Sequence, residues 1–144
     1  MSESNCQVIV AGFGLIGRFV TECLEKAAAR VTLIEMNPTT VNDQQGLGRS
    51  VVAGDVSDRA VLERAGVTTA HALVLTVPDE AAAIRACGVA RQLNPEIYIA
   101  IRTNHMSGAM IATRSGATHV TIEELVTAQA MSEAVIGGLQ IESP

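Results

Sequence analysis

The chain has 144 residues, 48% apolar and 17% charged, which suits one packed domain over 1–144 and excludes a disordered chain. A formal net charge of −5, a single lysine (Lys26) and scattered arginines leave no basic stripe for nucleic acid. Three cysteines (Cys6, Cys23, Cys87) without C-x-x-C spacing fit a reducing compartment and offer no disulfide framework or zinc site; no signal peptide or apolar run near ~20 residues is visible.

Aromatics are only 2%, so the core is expected to be aliphatic. "QVIVA" (7–11) reads as the first strand, followed at once by Gly12, Gly14 and Gly17 in G-x-G-x-x-G spacing and a helix over about 15–28. "VTLIEM" (31–36) is the second strand, and "NPTTVNDQQGLGR" reads as a short helix plus loop. "SVVAG" (50–54) is the third strand, with a helix over about 58–65 stopped by Gly66. "ALVLTV" (72–77) is the fourth, with a helix over about 79–93 ended by Asn94-Pro95. "IYIAIR" (97–102) is the fifth, followed by a helix over about 105–115 and the stop Gly116. "THVTI" (118–122) is the sixth.

Near-continuously apolar strands alternating with helices predict an α/β fold: a Rossmann-like, doubly wound parallel sheet of six strands in order 3-2-1-4-5-6. The last segment opens with Thr121 and Glu124 in capping-box spacing. Its stripe Leu125, Ala128, Met131, Val135 and Leu139 predicts a terminal helix over about 122–139. Much of its remaining circumference is also apolar or small, so the helix reads either as a well-buried final helix or as one with a face on the domain and the other in a subunit contact. Cys23 and Cys87, both helical, read as small buried hydrophobes.

Behind a strand and ahead of a helix, the three glycines suit a tight turn, backbone approach to a phosphate, and close helix–strand packing. Glu35 ends the second strand, 18 residues after Gly17, where a carboxylate accepts from ribose hydroxyls and disfavours the 2′-phosphate of NADP. A solvated strand-end charge is the bland alternative. Asn37 reads as a further ribose or adenine partner, or as turn chemistry with Pro38. Asp55 reads as a partner of the adenine amino group or as an Asx turn. Thr76 and Arg102 end strands four and five and face the same crevice. Arg102 suits either a phosphate or an ion pair with Asp79 or Glu80, and Arg18 either phosphates or solvent.

His71, His105 and His119 have no ligand-spaced partners and read as surface or capping residues. Tyr98 is followed by Arg102, not by a lysine, so the Tyr-x-x-x-Lys pair of short-chain dehydrogenases is missing. Methyl transfer wants a tighter G-x-G-x-G loop, and here position 16 is Ile. The pattern has the binding half of a dinucleotide enzyme without the reacting half, which favours sensing over catalysis. The alternative is an NAD-binding oxidoreductase module whose substrate domain lies on another chain.

"VIVAGFGLIGRFV", "VTLIEMNP", "VVAGDVSDRAVLERAGVTTAHALVLTVPDEAA", "ARQLNPEIYIAIR" and "GATHVTIEELVTAQAM" together resemble the RCK (regulator of K⁺ conductance) or TrkA N-terminal domain, over about residues 6–136. "TVPDEAA" looks closest to the soluble domains of Kef-type cation/proton antiporters. The resemblance implies a cytoplasmic regulatory domain at the inner face of the membrane, dimeric through its final helix. It implies binding of NAD(H), AMP, ADP or ATP and control of a potassium channel or antiporter. By position, Gly12, Gly14 and Gly17 would cradle phosphate, Glu35 the ribose and Asp55 the adenine region, with Phe13, Leu15, Ile16, Met36, Asn37 and Val56 in the same cofactor-binding site. Thr76 and Arg102 would complete the cofactor site. Members of the family often carry aspartate where this chain has Glu35.

Overall fold

The computed structural model describes residues 5–144, so the first four residues of the single-domain span lie outside it. Strands β1 (Gln7–Ala11), β2 (Arg30–Glu35), β3 (Ser50–Ala53), β4 (Ala72–Leu75), β5 (Tyr98–Thr103) and β6 (His119–Ile122) alternate with six helices. These are α1 (Leu15–Lys26), α2 (Pro38–Gly46), α3 (Arg59–Arg64), α4 (Glu80–Leu93), α5 (Met106–Arg114) and α6 (Glu123–Leu139). The strands form one parallel sheet in the order β3-β2-β1-β4-β5-β6, a Rossmann-like α/β fold.

Alternation along β1 sorts its side chains onto two faces. Val8 and Val10 join Leu33 and the α1 residue Leu24 on one side. Ile9 and Ala11 join Ile34, Leu62, Ala83, Ala86, Cys87 and Ala112 on the other. Small residues on α4 let that helix lie close to the sheet, and the buried core is built without aromatic residues, with Phe13 packed at its margin. Phe19 and Tyr98 are exposed.

Some local expectations change. α1 stops at Lys26 because Ala28 takes a left-handed conformation (φ 63°), a stop without glycine. Its buried positions are Gly17 and Thr21, and Cys23 lies off that stripe and is exposed; only Cys87 is the buried thiol foreseen. The irregular link after β2 does contain a helix, α2.

The larger departure is α6. Thr121 pairs with Arg102 in the β5–β6 register, so it is a strand residue, and the helix starts behind Ile122 with no side-chain cap. The expected capping box is therefore absent. Nor does α6 place one face on its own domain: none of its residues is buried, and Leu125, Val126, Met131, Val135 and Leu139 are all exposed. Two contacts link its first turn to the body, an ion pair of Glu123 with Arg102 and the approach of Glu124 to His105 Nδ1 (3.0 Å). Among the described residues, no helix is long and apolar enough to cross a membrane.

Candidate functional site

Strand order reverses between β1 and β4, where their following loops turn away from each other and leave a crevice at the carboxyl edge. A cleft of about 770 Å³ occupies it. All thirteen residues singled out from the sequence, from Gly12 to Arg102, line this cleft.

The glycines divide the work. Gly12 sits at φ 94°, and a Cβ there would lie 2.8 Å from Thr76 Oγ1. At Gly17 a Cβ would lie 1.9 Å from the Gly12 carbonyl oxygen, so the helix touches the turn through a missing side chain. At Gly14 nothing lies within 4 Å, leaving the backbone open to the cleft. Gly14 is also the N-cap of α1 and supplies no side-chain acceptor to the first-turn amides. Free amides and the helix dipole make this end attractive to an anion.

Thr76 lines the cleft but is itself buried. Its hydroxyl donates to the carbonyl oxygens of Ala11 (2.8 Å) and Gly12 (3.2 Å), holding β4 against the glycine turn.

Glu35 is not merely solvated. Its Oε2 accepts from the Phe13 amide (2.8 Å), and its Oε1 accepts from the amides of Met36 and Asn37 (both 3.1 Å). A carboxylate offers about four acceptor positions. Three are engaged, so a ribose hydroxyl meets one open position, and a second would displace an amide. Asn37 caps α2, its Oδ1 accepting from Thr39 (2.9 Å) and Thr40 (3.3 Å); the turn alternative describes that oxygen.

Asp55 makes the Asx turn: its Oδ1 accepts from the Ser57 amide (2.8 Å) and hydroxyl (2.7 Å). Those bonds, with the charge of Arg85 helping, hold its carboxyl below the usual aspartate range. It also lines the cleft, with Val56 buried beside it, so the turn and the ligand reading coexist in one residue.

Arg102 pairs with neither Asp79 nor Glu80. Its Nε donates to the Thr76 carbonyl oxygen (2.9 Å) and its Nη1 to Glu123 at the start of α6. Asp79 instead caps α4 by accepting from the Ala82 amide (3.1 Å). Arg18 pairs with Glu22 on the exposed face of α1 and does not line the cleft. Nearby, Arg49 stacks over the Phe13 ring (5.4 Å) and is held by Glu25.

Six lining residues escaped the sequence reading as site residues: Ile34, Gly54, Val77, Pro78, Asp79 and Ala82. Four of them form the link from β4 into α4, and the signal for them was the switch point itself. In an open parallel sheet both loops flanking that point face the ligand.

The sequence profile of the TrkA-N domain matches residues 8–123. The Trk system potassium uptake protein TrkA homolog of Pyrococcus horikoshii is 33% identical over 96 residues, 66% of this chain and 42% of that protein. The chain spans less than half the length of the curated relatives it matches. The TrkA-N domain of inner membrane protein ybaL from Escherichia coli has TM-score 0.86 at 26% identity, covering 89% of this chain and 95% of that one. The crystal structure of GsuK bound to ADP has TM-score 0.77 at 25% identity, covering 89% of this chain and 33% of that one.

Proposed function

The chain belongs to the TrkA-N domain family, and from that premise we propose that it is a regulatory domain that binds an adenine nucleotide or NAD(H) and controls a potassium channel or cation/proton antiporter. The observation that carries this reading is the juxtaposition, in one cleft, of an open glycine turn at a helix N-terminus with Glu35 and Asp55 on the neighbouring strand ends. The turn would hold a phosphate, Glu35 a ribose hydroxyl and the Asp55–Val56 edge the adenine. Gly12 and Gly17 shape the turn, with Phe13, Leu15 and Ile16 beside the phosphate, and Met36 and Asn37 flanking Glu35. ADP in the GsuK relative supports an adenine nucleotide. The carboxylate of Glu35 repels a 2′-phosphate, so NADP would bind worst.

α6, which has no buried residue, is then the contact with a second copy, and the domain works as a homodimer on the cytoplasmic side, held at the membrane by its transporter partner. Regulation needs differential binding: a ligand shifts the partner only by preferring one arrangement of the domain over another. The domain senses and does not turn ligand over.

Calorimetric titration with AMP, ADP, ATP, NAD⁺, NADH and NADP⁺ tests the reading. Binding of one or more, weakest for NADP⁺ and lost in Gly14→Asp, is the expected result. No binding of any of the six overturns it, and oxidation of NADH with an acceptor would favour the oxidoreductase module instead.

A further inference from the structure

Arg102 is the only cation that lines the cleft among the described residues, against the carboxylates of Glu35, Asp55 and Asp79. It is also the residue that grips α6, through Glu123. We propose that Arg102 is an exchangeable latch: an anionic group of a cleft ligand competes with Glu123 for its guanidinium, so that occupancy of the cleft releases the first turn of α6. This rests on the nucleotide reading above and adds the route from the cleft to the helix.

The chain of contacts is continuous. The Thr76 hydroxyl holds the glycine turn, and the Thr76 carbonyl oxygen receives the Arg102 Nε. Arg102 in turn holds Glu123, the first residue of α6. Both members of the pair are partly buried, with side-chain exposures of 22% and 35%, so their charges are screened less than those of a surface pair. A planar guanidinium suits a carboxylate and a phosphate equally. The two anions repel each other when they share it, and binding of one weakens the other. Within one copy, no buried side chain of α6 opposes the release, because α6 has none. The second tie, Glu124 with His105, is exposed on both sides.

Linkage makes the effect reciprocal: a ligand that loosens Glu123 binds tighter when Glu123 is neutralised. Calorimetry on the full chain compares AMP with adenosine in the unmutated protein, Glu123→Gln and Glu124→Gln. Glu123→Gln should tighten AMP by roughly fivefold or more, the lower end of coupling between sites, and leave adenosine unchanged. Glu124→Gln, which removes the same charge from the same turn but not from Arg102, should change neither. An AMP affinity unchanged or weakened by Glu123→Gln overturns the latch while leaving the nucleotide reading standing, and so does equal tightening by Glu124→Gln. If neither probe binds any variant, the latch is overturned for AMP, and the nucleotide reading is decided by the six-ligand titration. In the unmutated chain, saturating AMP should speed amide exchange at Val126 and Thr127, the first amides of α6 with an acceptor one turn back; exchange that stays the same or slows overturns the latch without any substitution.

Discussion

Glu35 Oε2 accepts a 2.8 Å hydrogen bond from the Phe13 amide, joining the end of β2 to the glycine turn across 22 residues of sequence. The residue assigned to the ribose is therefore also a brace of the phosphate turn. Glu35→Ala should lower stability by about 1.5–3 kcal/mol without any ligand, the usual worth of a hydrogen bond to a charged group. It should also weaken adenine-nucleotide binding. Urea unfolding and calorimetry on the same preparation check both, and a variant of unchanged stability would deny the brace.

The glycines of one motif should respond differently. Gly17→Ala sets a Cβ against the Gly12 carbonyl oxygen, and backbone cannot yield as a side-chain end does. Its expected cost is about 3 kcal/mol or more. Gly14→Asp meets open space and adds an N-cap acceptor, so stability should stay within about 1 kcal/mol. A carboxylate in the phosphate position should nevertheless reduce nucleotide affinity roughly 100-fold or more. Thermal melts separate the first effect and titration the second.

Asp55 carries a pH dependence. Ser57 donates from its hydroxyl and then its amide, so the folded carboxyl titrates below the ordinary value of 3.8. The folded state thus holds that proton less tightly than the unfolded chain. The stabilisation is complete above the unfolded value and drains away as pH falls through the folded one. Ser57→Ala removes the larger cause. Its urea midpoint should fall less steeply than that of the unmutated chain as pH drops below about 4.

Met131→Glu with Val135→Glu places two charges on the exposed face of α6. Sedimentation should show the dimer becoming a monomer, while the melting temperature of the monomeric body stays unchanged because neither residue packs on it. A monomer before substitution would remove α6 from the proposed contact.

The architecture was legible because each strand is a short apolar run and each crossover has helical length, which leaves one natural strand order. The cleft was legible for the same reason, since strand ends and a glycine turn converge at the switch point. Partner choice was less legible. Asp79 and Glu80 follow the strand beside Arg102 and look nearer in sequence logic than Glu123, which returns to Arg102 only after α5 and β6 have folded. Thr121 has cap chemistry and cap spacing, yet its pairing opposite Arg102 makes it strand. Cys23 lies two residues past Thr21, which puts it about 200° away around a helix and outside the buried stripe. In α6, apolar residues all round suggested burial, but nothing in a single sequence says which molecule provides the cover.

That uncovered helix has a thermodynamic consequence. Heat-capacity change and denaturant sensitivity both scale with the area exposed on unfolding, and in a lone chain no residue of α6 is buried. In a solitary copy the helix beyond its first turn therefore adds little to the cooperative unit. Once α6 is covered, its desolvation joins the cooperative unit, and stability rises with the concentration of whatever covers it. The abundance of the protein and its associates then becomes an input to the domain in its own right, beside the chemical signal in the cleft.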